Sequence, residues 1–296
     1  MAELPTLAIT VGDPAGIGPE VASKAVRDPR VQAVCIPRLY GPAKSEDVEP
    51  YPAGVVSAIS GLRSYEEVVR AVEDALRGTV DGVVTGPINK ASFAAAGFPW
   101  RGHTDLIAHL CGVPQAGMMF WSEKLRVVLA TVHIPLSEVP TALTKEKLCG
   151  IIRMTAGAMP RFGYPSPRIA VTGLNPHAGE DGLLGREELV TIRPAIAECV
   201  TEGITVSGPF PADTVFVRAV RGDFDVVVAC YHDQGLIPVK LLSFGHSVNV
   251  TIGVPIIRTS VDHGTAYDIA RRGVADPGSM IEAILLAARL VTASRT

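Results

Sequence analysis

Short apolar, β-branched runs alternate with helical patterns from one end of the chain to the other. That alternation specifies an α/β fold with a mostly parallel sheet, because parallel neighbours need a crossover and a helix is the usual one. Leu7–Val11, Gly82–Thr85, Arg126–Val132, Arg168–Thr172 and Val226–Ala229 are runs of this kind. In open α/β sheets, ligands bind outside the carboxyl ends of the strands.

Three of these runs end in a histidine. Val226–Ala229 leads into Tyr231, His232, Asp233 and Gln234, with Gly235 and Pro238 breaking the regular pattern. Arg126–Val132 is followed at once by His133, and Arg168–Thr172 by Gly-Leu-Asn-Pro-His177-Ala-Gly-Glu180. Any one of them fits an ordinary loop cap. Three imidazoles at one rim of a parallel sheet suit a catalytic divalent metal, since three neutral nitrogens leave positions open for substrate.

The other signals are local. Gly12–Glu20 is a turn-rich loop that allows close approach of backbone to a ligand, and it precedes a helix over 21–26. Residues 37–63, rich in Pro, Gly and Ser, are expected to be a long connection with little regular structure. Ser64 is then expected to cap a helix, with Glu67 completing a capping box and Val68, Val72, Ala75 and Leu76 forming its apolar stripe. His103-Thr104 opens a helix over 106–111; it offers an anion site, or else Thr104 is an ordinary N-cap. Lys90 either reaches solvent or faces a cleft. Helices are expected over 144–162, over 186–200 with a kink at Pro194, and over 279–291. Asp213, in the proline-rich stretch 208–214, is either a turn residue or a base near the metal.

The formal charge is −3 with both signs mixed, so neither nucleic acid nor a membrane surface is an expected partner. Five scattered cysteines without a C-x-x-C pair fit structural thiols in a reducing cytosol. No signal peptide or membrane-spanning run is expected, which makes the expected location cytoplasmic.

Two stretches resemble the isocitrate/isopropylmalate dehydrogenase fold. Gly12–Glu20 is similar to that group's G-D-G-I-G-P-E, and His263-Gly-Thr-Ala-Tyr-Asp268-Ile-Ala, running on to Pro277, is similar to its nucleotide loop. The whole chain more closely resembles the 4-hydroxythreonine-4-phosphate dehydrogenase family, through GDPAGIGPE, TGPINK, GHTD, HIPL, NPHAGE, PADT, YHDQG and NVTIGVPIIRTSVDHGTA. The resemblance implies two α/β/α domains flanking a cleft. Residues 1–102 with 250–296 would bind nucleotide, and 103–249 would hold metal and substrate and dimerise.

It further implies that His133, His177 and His232 bind one divalent metal (Zn, Mg, Mn or Co). His103, Thr104, Lys240, Asn249 and Arg258 would hold substrate and its phosphate. His263, Gly264, Asp268 and Ile269 would hold the dinucleotide. Asp268 suits a ribose diol and repels a 2′-phosphate, which favours NAD, with NADP as the alternative. The implied reaction is metal-assisted oxidation of a secondary alcohol followed by loss of carbon dioxide, in a homodimer whose partner completes each site. Asp213 or Asp233 is the expected proton acceptor, Asp233 alternatively orienting His232, and Lys240 neutralises charge. Residues 37–63 look shorter than usual for the family, and Leu-Leu-Ser-Phe-Gly-His after Lys240 is more like paralogues that oxidise erythronate or threonate phosphate. A third branch, acting on carboxylated cyclohexadiene diols, lacks the His-Thr pair retained here. A nucleotide-binding protein without catalysis is the non-enzyme alternative, disfavoured because the three histidines and Lys240 are all present.

Overall fold

The computed structural model describes residues 3–100 and 102–295. Ten strands appear among them: β1 (Thr6–Thr10), β2 (Ile36–Tyr40), β3 (Gly82–Thr85), β4 (Gly117–Trp121), β5 (Arg126–Leu129), β6 (Ile169–Thr172), β7 (Val206–Phe210), β8 (Val226–Ala229), β9 (Val248–Ile252) and β10 (Arg258–Ser260). The chain divides into two units, Met1–Ala116 with Val248–Thr296, and Gly117–Ser247.

In the first unit the strand order is β2-β1-β3-β10-β9, parallel except that β9 runs against β10. In the second it is β4-β5-β8-β6-β7, again parallel apart from the β4–β5 pair. This is the mostly parallel α/β fold that the alternating pattern predicts. The inner strands β3, β6 and β8 are buried along their whole length, as strands covered on both faces must be, and for that reason they are continuous runs of Val, Ile and Ala rather than alternating ones. Among the described residues no helix is long and apolar enough to cross a membrane.

The structure corrects the sequence reading in three places. The stretch 37–63 contains β2, the short helix Ser45–Val48 and the first turns of the helix Ala58–Leu76. That helix is capped by Ser57, whose side chain accepts from the Ser60 amide; Ser64 lies inside it and donates to the Ser60 carbonyl at 2.8 Å. The reason is a close helix crossing. A Cβ at Gly61 would lie 2.0 Å from the Ser92 carbonyl oxygen of the helix Lys90–Ala95, so this glycine permits packing and is not a breaker. Second, residues 208–214 are not a loop: Gly208-Pro209 is cis within β7, and a helix Ala212–Val220 begins directly after it. Third, the helix expected from residue 186 enters through a π turn, Glu188–Ile192, and Pro194 sits harmlessly in the first turn of the α-helix Arg193–Thr201.

Glu67, expected to complete a capping box with Ser64, lies inside the helix that Ser57 caps and is 3 % exposed. Its Oε2 accepts the Gly12 amide at 3.0 Å, while Oε1 has no hydrogen bond and only Arg63 Nε at 3.5 Å. Burial holds its carboxyl well above the usual range, against the Gly12 amide and Arg63, with Asp13 adding to the rise. A carboxyl whose folded pKa is raised binds more protons folded than unfolded. The wild type therefore loses stability as pH rises from about 4.5 through the folded value. Glu67→Gln removes this slope and is expected to raise the melting temperature at pH 8 by a few degrees, with little change at pH 5. Parallel thermal melts at the two pH values check it; a lower melting temperature for the variant at pH 8 would contradict the assignment.

Candidate active site

The second unit places β5, β8 and β6 side by side and parallel, with Val127 opposite Val227 and Ala170 opposite Val227 on its other side. The carboxyl ends of all three therefore open at one rim, and the loops leaving them carry His133, His232 and His177. His133 and His232 meet: their ring centroids are 5.5 Å apart with planes tilted 42°. With metal–nitrogen bonds of about 2.1 Å, two imidazoles on one tetrahedral ion have ring centres roughly 5 Å apart, so this pair fits a shared metal. Both rings line a cavity of about 250 Å³, together with Thr131, Tyr231 and Asp233. His133 sits at φ 43°, a left-handed conformation uncommon outside glycine and frequent at functional sites. His232 begins the helix His232–Ser243, and its Nδ1 lies 2.7 Å from Asp233 Oδ1, which makes Nε2 the candidate ligand nitrogen.

His177 is not gathered with this pair. Among the described residues no group of three or more His, Cys, Asp or Glu side chains is arranged to hold a metal. His177 stands 63 % exposed on its own loop, Nδ1 at 2.6 Å from Glu180 Oε1, and that carboxylate raises the imidazole's pKa. Asp213 is exposed in the first turn of the helix Ala212–Val220, near enough to raise His177 further. Lys240 lies two turns along the helix that His232 begins.

Gln234, noted in the sequence only as polar, ties two of these loops together. Buried to 9 % exposure, it accepts from the Thr172 hydroxyl at 2.6 Å and the Cys230 amide at 2.7 Å, and donates to the Gly173 carbonyl at 2.8 Å. The end of β8 is thereby bonded to the end of β6. The signal available in the sequence was its position: Gln234 lies one turn after Cys230, on the inner face of the helix.

The first unit carries the remaining candidates. His103 and Thr104 open the helix His103–Leu110, whose N-cap is Gly102 with no side-chain cap, which removes the reading of Thr104 as the cap. Arg258 on β10 is 1 % exposed, donating from Nη1 to Thr251 Oγ1 at 2.8 Å and from Nη2 to Thr85 Oγ1 at 2.5 Å. Both partners are neutral hydroxyls, and burial pushes the guanidinium down to about 9. Burial and the Arg258 charge hold His103 well below the ordinary histidine range, so it is neutral at pH 7. Arg258 Nε, His103 Nε2 and Asn249 Oδ1 are enclosed without a hydrogen-bond partner. Buried polar atoms left in this state mark a place for a ligand.

The loop that carries His263, Gly264, Asp268 and Ile269 is strapped to the Gly12–Glu20 region. Tyr267 donates to buried Asp13 Oδ2 at 2.7 Å. Glu20 accepts the Gly273 and Ala275 amides at 3.2 and 2.8 Å, while Lys24 donates to the carbonyls of the same two residues. Asp268 is exposed within the short turn Tyr267–Ile269, and His263 Nε2 is enclosed and unpartnered. The two motifs found separately in the sequence are thus one built unit.

The molecule is an α/β protein of two units of mostly parallel strands, with candidate metal and anion groups gathered within them. Isocitrate dehydrogenase from Methylococcus capsulatus shares the fold at a TM-score of 0.53 and 18 % identity, over 99 % of this chain and 88 % of that one. The chain belongs to the family of the pyridoxal phosphate biosynthetic protein PdxA, whose model matches residues 17–287. It is 43 % identical to the 4-hydroxythreonine-4-phosphate dehydrogenase of Desulforapulum autotrophicum, over 97 % of this chain and 96 % of that one. A Bradyrhizobium diazoefficiens relative, provisionally named a D-threonate 4-phosphate dehydrogenase, is 41 % identical over 96 % of each. The crystal structure of 4-hydroxythreonine-4-phosphate dehydrogenase from Klebsiella pneumoniae matches with a TM-score of 0.88 and 38 % identity, covering 98 % of this chain and 99 % of that one.

Proposed function

We propose that the chain is a metal- and NAD-dependent dehydrogenase that oxidises the secondary alcohol of a phosphorylated hydroxy acid, 4-hydroxythreonine-4-phosphate in the first instance. The observation that carries this reading is the buried Arg258, held by neutral hydroxyls beside neutral His103, with the donor Arg258 Nε unpartnered. A phosphate dianion supplies the charge and acceptors that this pocket lacks. His103, Thr104, Asn249 and Arg258 would bind the phosphate end of the substrate, and Lys240 its acidic end.

His133 and His232 would hold a divalent metal (Zn, Mg, Mn or Co), with His177 completing the set in a homodimer. A metal held there would supply Lewis acidity toward the substrate hydroxyl, and NAD held by His263, Gly264, Asp268 and Ile269 would supply the hydride acceptor. Asp233 orients His232 through Nδ1, which leaves Asp213 to take the hydroxyl proton. Lys240 offsets negative charge as the 3-oxo acid loses carbon dioxide. Asp268 receives the ribose diol and disfavours a 2′-phosphate. The homodimer reading draws support from the helix that carries His232: Ile237 and Leu241, one turn apart on it, and Phe244 at its C-cap are 66 %, 84 % and 80 % exposed. The five cysteines, all free, fit a reducing cytoplasm.

A second reading keeps the site and exchanges the substrate for erythronate or threonate phosphate. It is favoured by the Leu241–His246 segment after Lys240 and by the Bradyrhizobium relative's name. Assays of the metal-loaded protein with 4-hydroxythreonine-4-phosphate, erythronate phosphate and threonate phosphate, each with NAD and with NADP, separate the two. The expected result is NAD reduction with 4-hydroxythreonine-4-phosphate at a kcat/KM at least tenfold above the others. A reversed order moves the assignment to the sugar acids, and no reduction with any of them discards the dehydrogenase.

A further inference from the structure

The loop that carries His177 is wound the wrong way. His177, Ala178, Gly179, Glu180 and Asp181 have φ of 52°, 56°, 81°, 42° and 52°, a left-handed turn with four non-glycine residues. Left-handed backbone is unfavourable for each non-glycine residue, so neighbouring structure must hold the turn in place. Arg193 donates to Asp181 Oδ1 at its far end, and a buried carboxylate sits at its entry. Glu188, 1 % exposed at the start of the π turn Glu188–Ile192, accepts on Oε1 from the Leu174 amide at 2.8 Å and the Asn175 amide at 2.7 Å. Its Oε2 accepts from Asn175 Nδ2 at 3.0 Å. The backbone presses against it from both sides: a Cβ at Gly173 would lie 3.2 Å from Oε1, and one at Gly179 would lie 2.6 Å from Oε2. Gly173 is also the residue whose carbonyl accepts from Gln234, at the root of the His232 helix.

We propose that Glu188 is a positioning residue for the His177 imidazole: its buried carboxylate is the post around which residues 173–182 are wound, and it sets the direction in which His177 leaves the rim. This rests on the reading of His177 as a metal ligand. A carboxylate is required because Oε1 takes two backbone donors while Oε2 takes a third from Asn175. A carboxamide keeps the first pair but turns a donor toward Asn175 Nδ2, and alanine removes both acceptor oxygens and with them all three hydrogen bonds. Residues that orient metal ligands change metal affinity by about 10–100-fold when removed.

The test is Co²⁺ titration of the metal-free full chain, followed by visible absorption, for wild type, Glu188→Gln, Glu188→Ala and His177→Ala, with melting temperatures measured alongside. The expected order is a threefold or greater loss of Co²⁺ affinity for Glu188→Gln and about tenfold or more for Glu188→Ala. Altered absorption bands should accompany both. A glutamate that only stabilised the fold would lower the melting temperature and leave affinity and bands as in wild type; that result overturns the proposal if His177→Ala loses tenfold or more. Wild-type Co²⁺ binding by His177→Ala would instead overturn the ligand reading beneath it. Should Glu188→Ala fail to fold, Glu188→Gln decides alone, and unchanged affinity there sinks the idea.

Discussion

His232→Ala is expected to lower kcat by about a thousandfold or more while the protein stays folded. Lewis-acid stabilisation of a developing alkoxide is worth several kcal/mol, and each 1.4 kcal/mol is about tenfold in rate. His232 and His133 are the two rings already within sharing distance of one ion, so losing either leaves a single imidazole in that pair. The fold should tolerate the change. The His232 side chain is 40 % exposed, and the helix it begins is anchored through Gln234 and the buried Leu236 and Val239. Kinetics in saturating metal and with a chelator, on the phosphorylated acid that the wild type oxidises, measure the effect. A variant that keeps more than a tenth of wild-type kcat with chelator present would discard metal-assisted oxidation.

Arg258→Met is expected to separate function from stability. A phosphate bound against a buried guanidinium loses a charge-assisted contact worth about 3–5 kcal/mol, so kcat/KM should fall by roughly 10²–10⁴-fold, mostly in KM. Free wild-type protein, however, carries that cation enclosed at 1 % exposure, with neutral partners and an unpartnered Nε. Taking an ion out of water costs several kcal/mol, which offsets the two hydroxyl bonds lost in the variant, at about 1–3 kcal/mol each. The melting temperature of the ligand-free variant should therefore stay within a few degrees of wild type or rise. Saturating inorganic phosphate should stabilise the wild type and leave the variant unmoved. A drop of more than about 10 °C in the ligand-free variant would make Arg258 a structural residue and remove the main support for a phosphorylated substrate.

Much of the architecture was legible in the chain because its signals are local. Val226–Ala229 is a strand with the bounds its composition predicts, since a β-branched run ended by polar residues has few other uses. Gly82–Thr85 is equally plain. The helix Ala58–Leu76 began earlier than expected because Gly61 looks like a breaker in sequence and is a contact point in space. Glu188 falls within the helix expected over 186–200 and belongs to no recognisable motif. The available signal was its spacing: Glu188, Ile192, Ala195 and Cys199 recur on one buried face, and a carboxylate in that stripe needs partners.

Hydrophobic period and turn chemistry were enough to specify strands, helices and the polar rim, because each depends on residues a few positions apart. Which rim groups meet was decided by strand order: β6 lies against β8 and β10 against β3, so Gln234 bonds to Thr172 across 62 residues and Arg258 to Thr85 across 173. Such bonds form only when many distant contacts close together, and no local preference encodes them. His133 and His232 share a cavity, while His177, read from an equally clear motif, leaves β6 on a left-handed turn over 177–181 that no local preference announces.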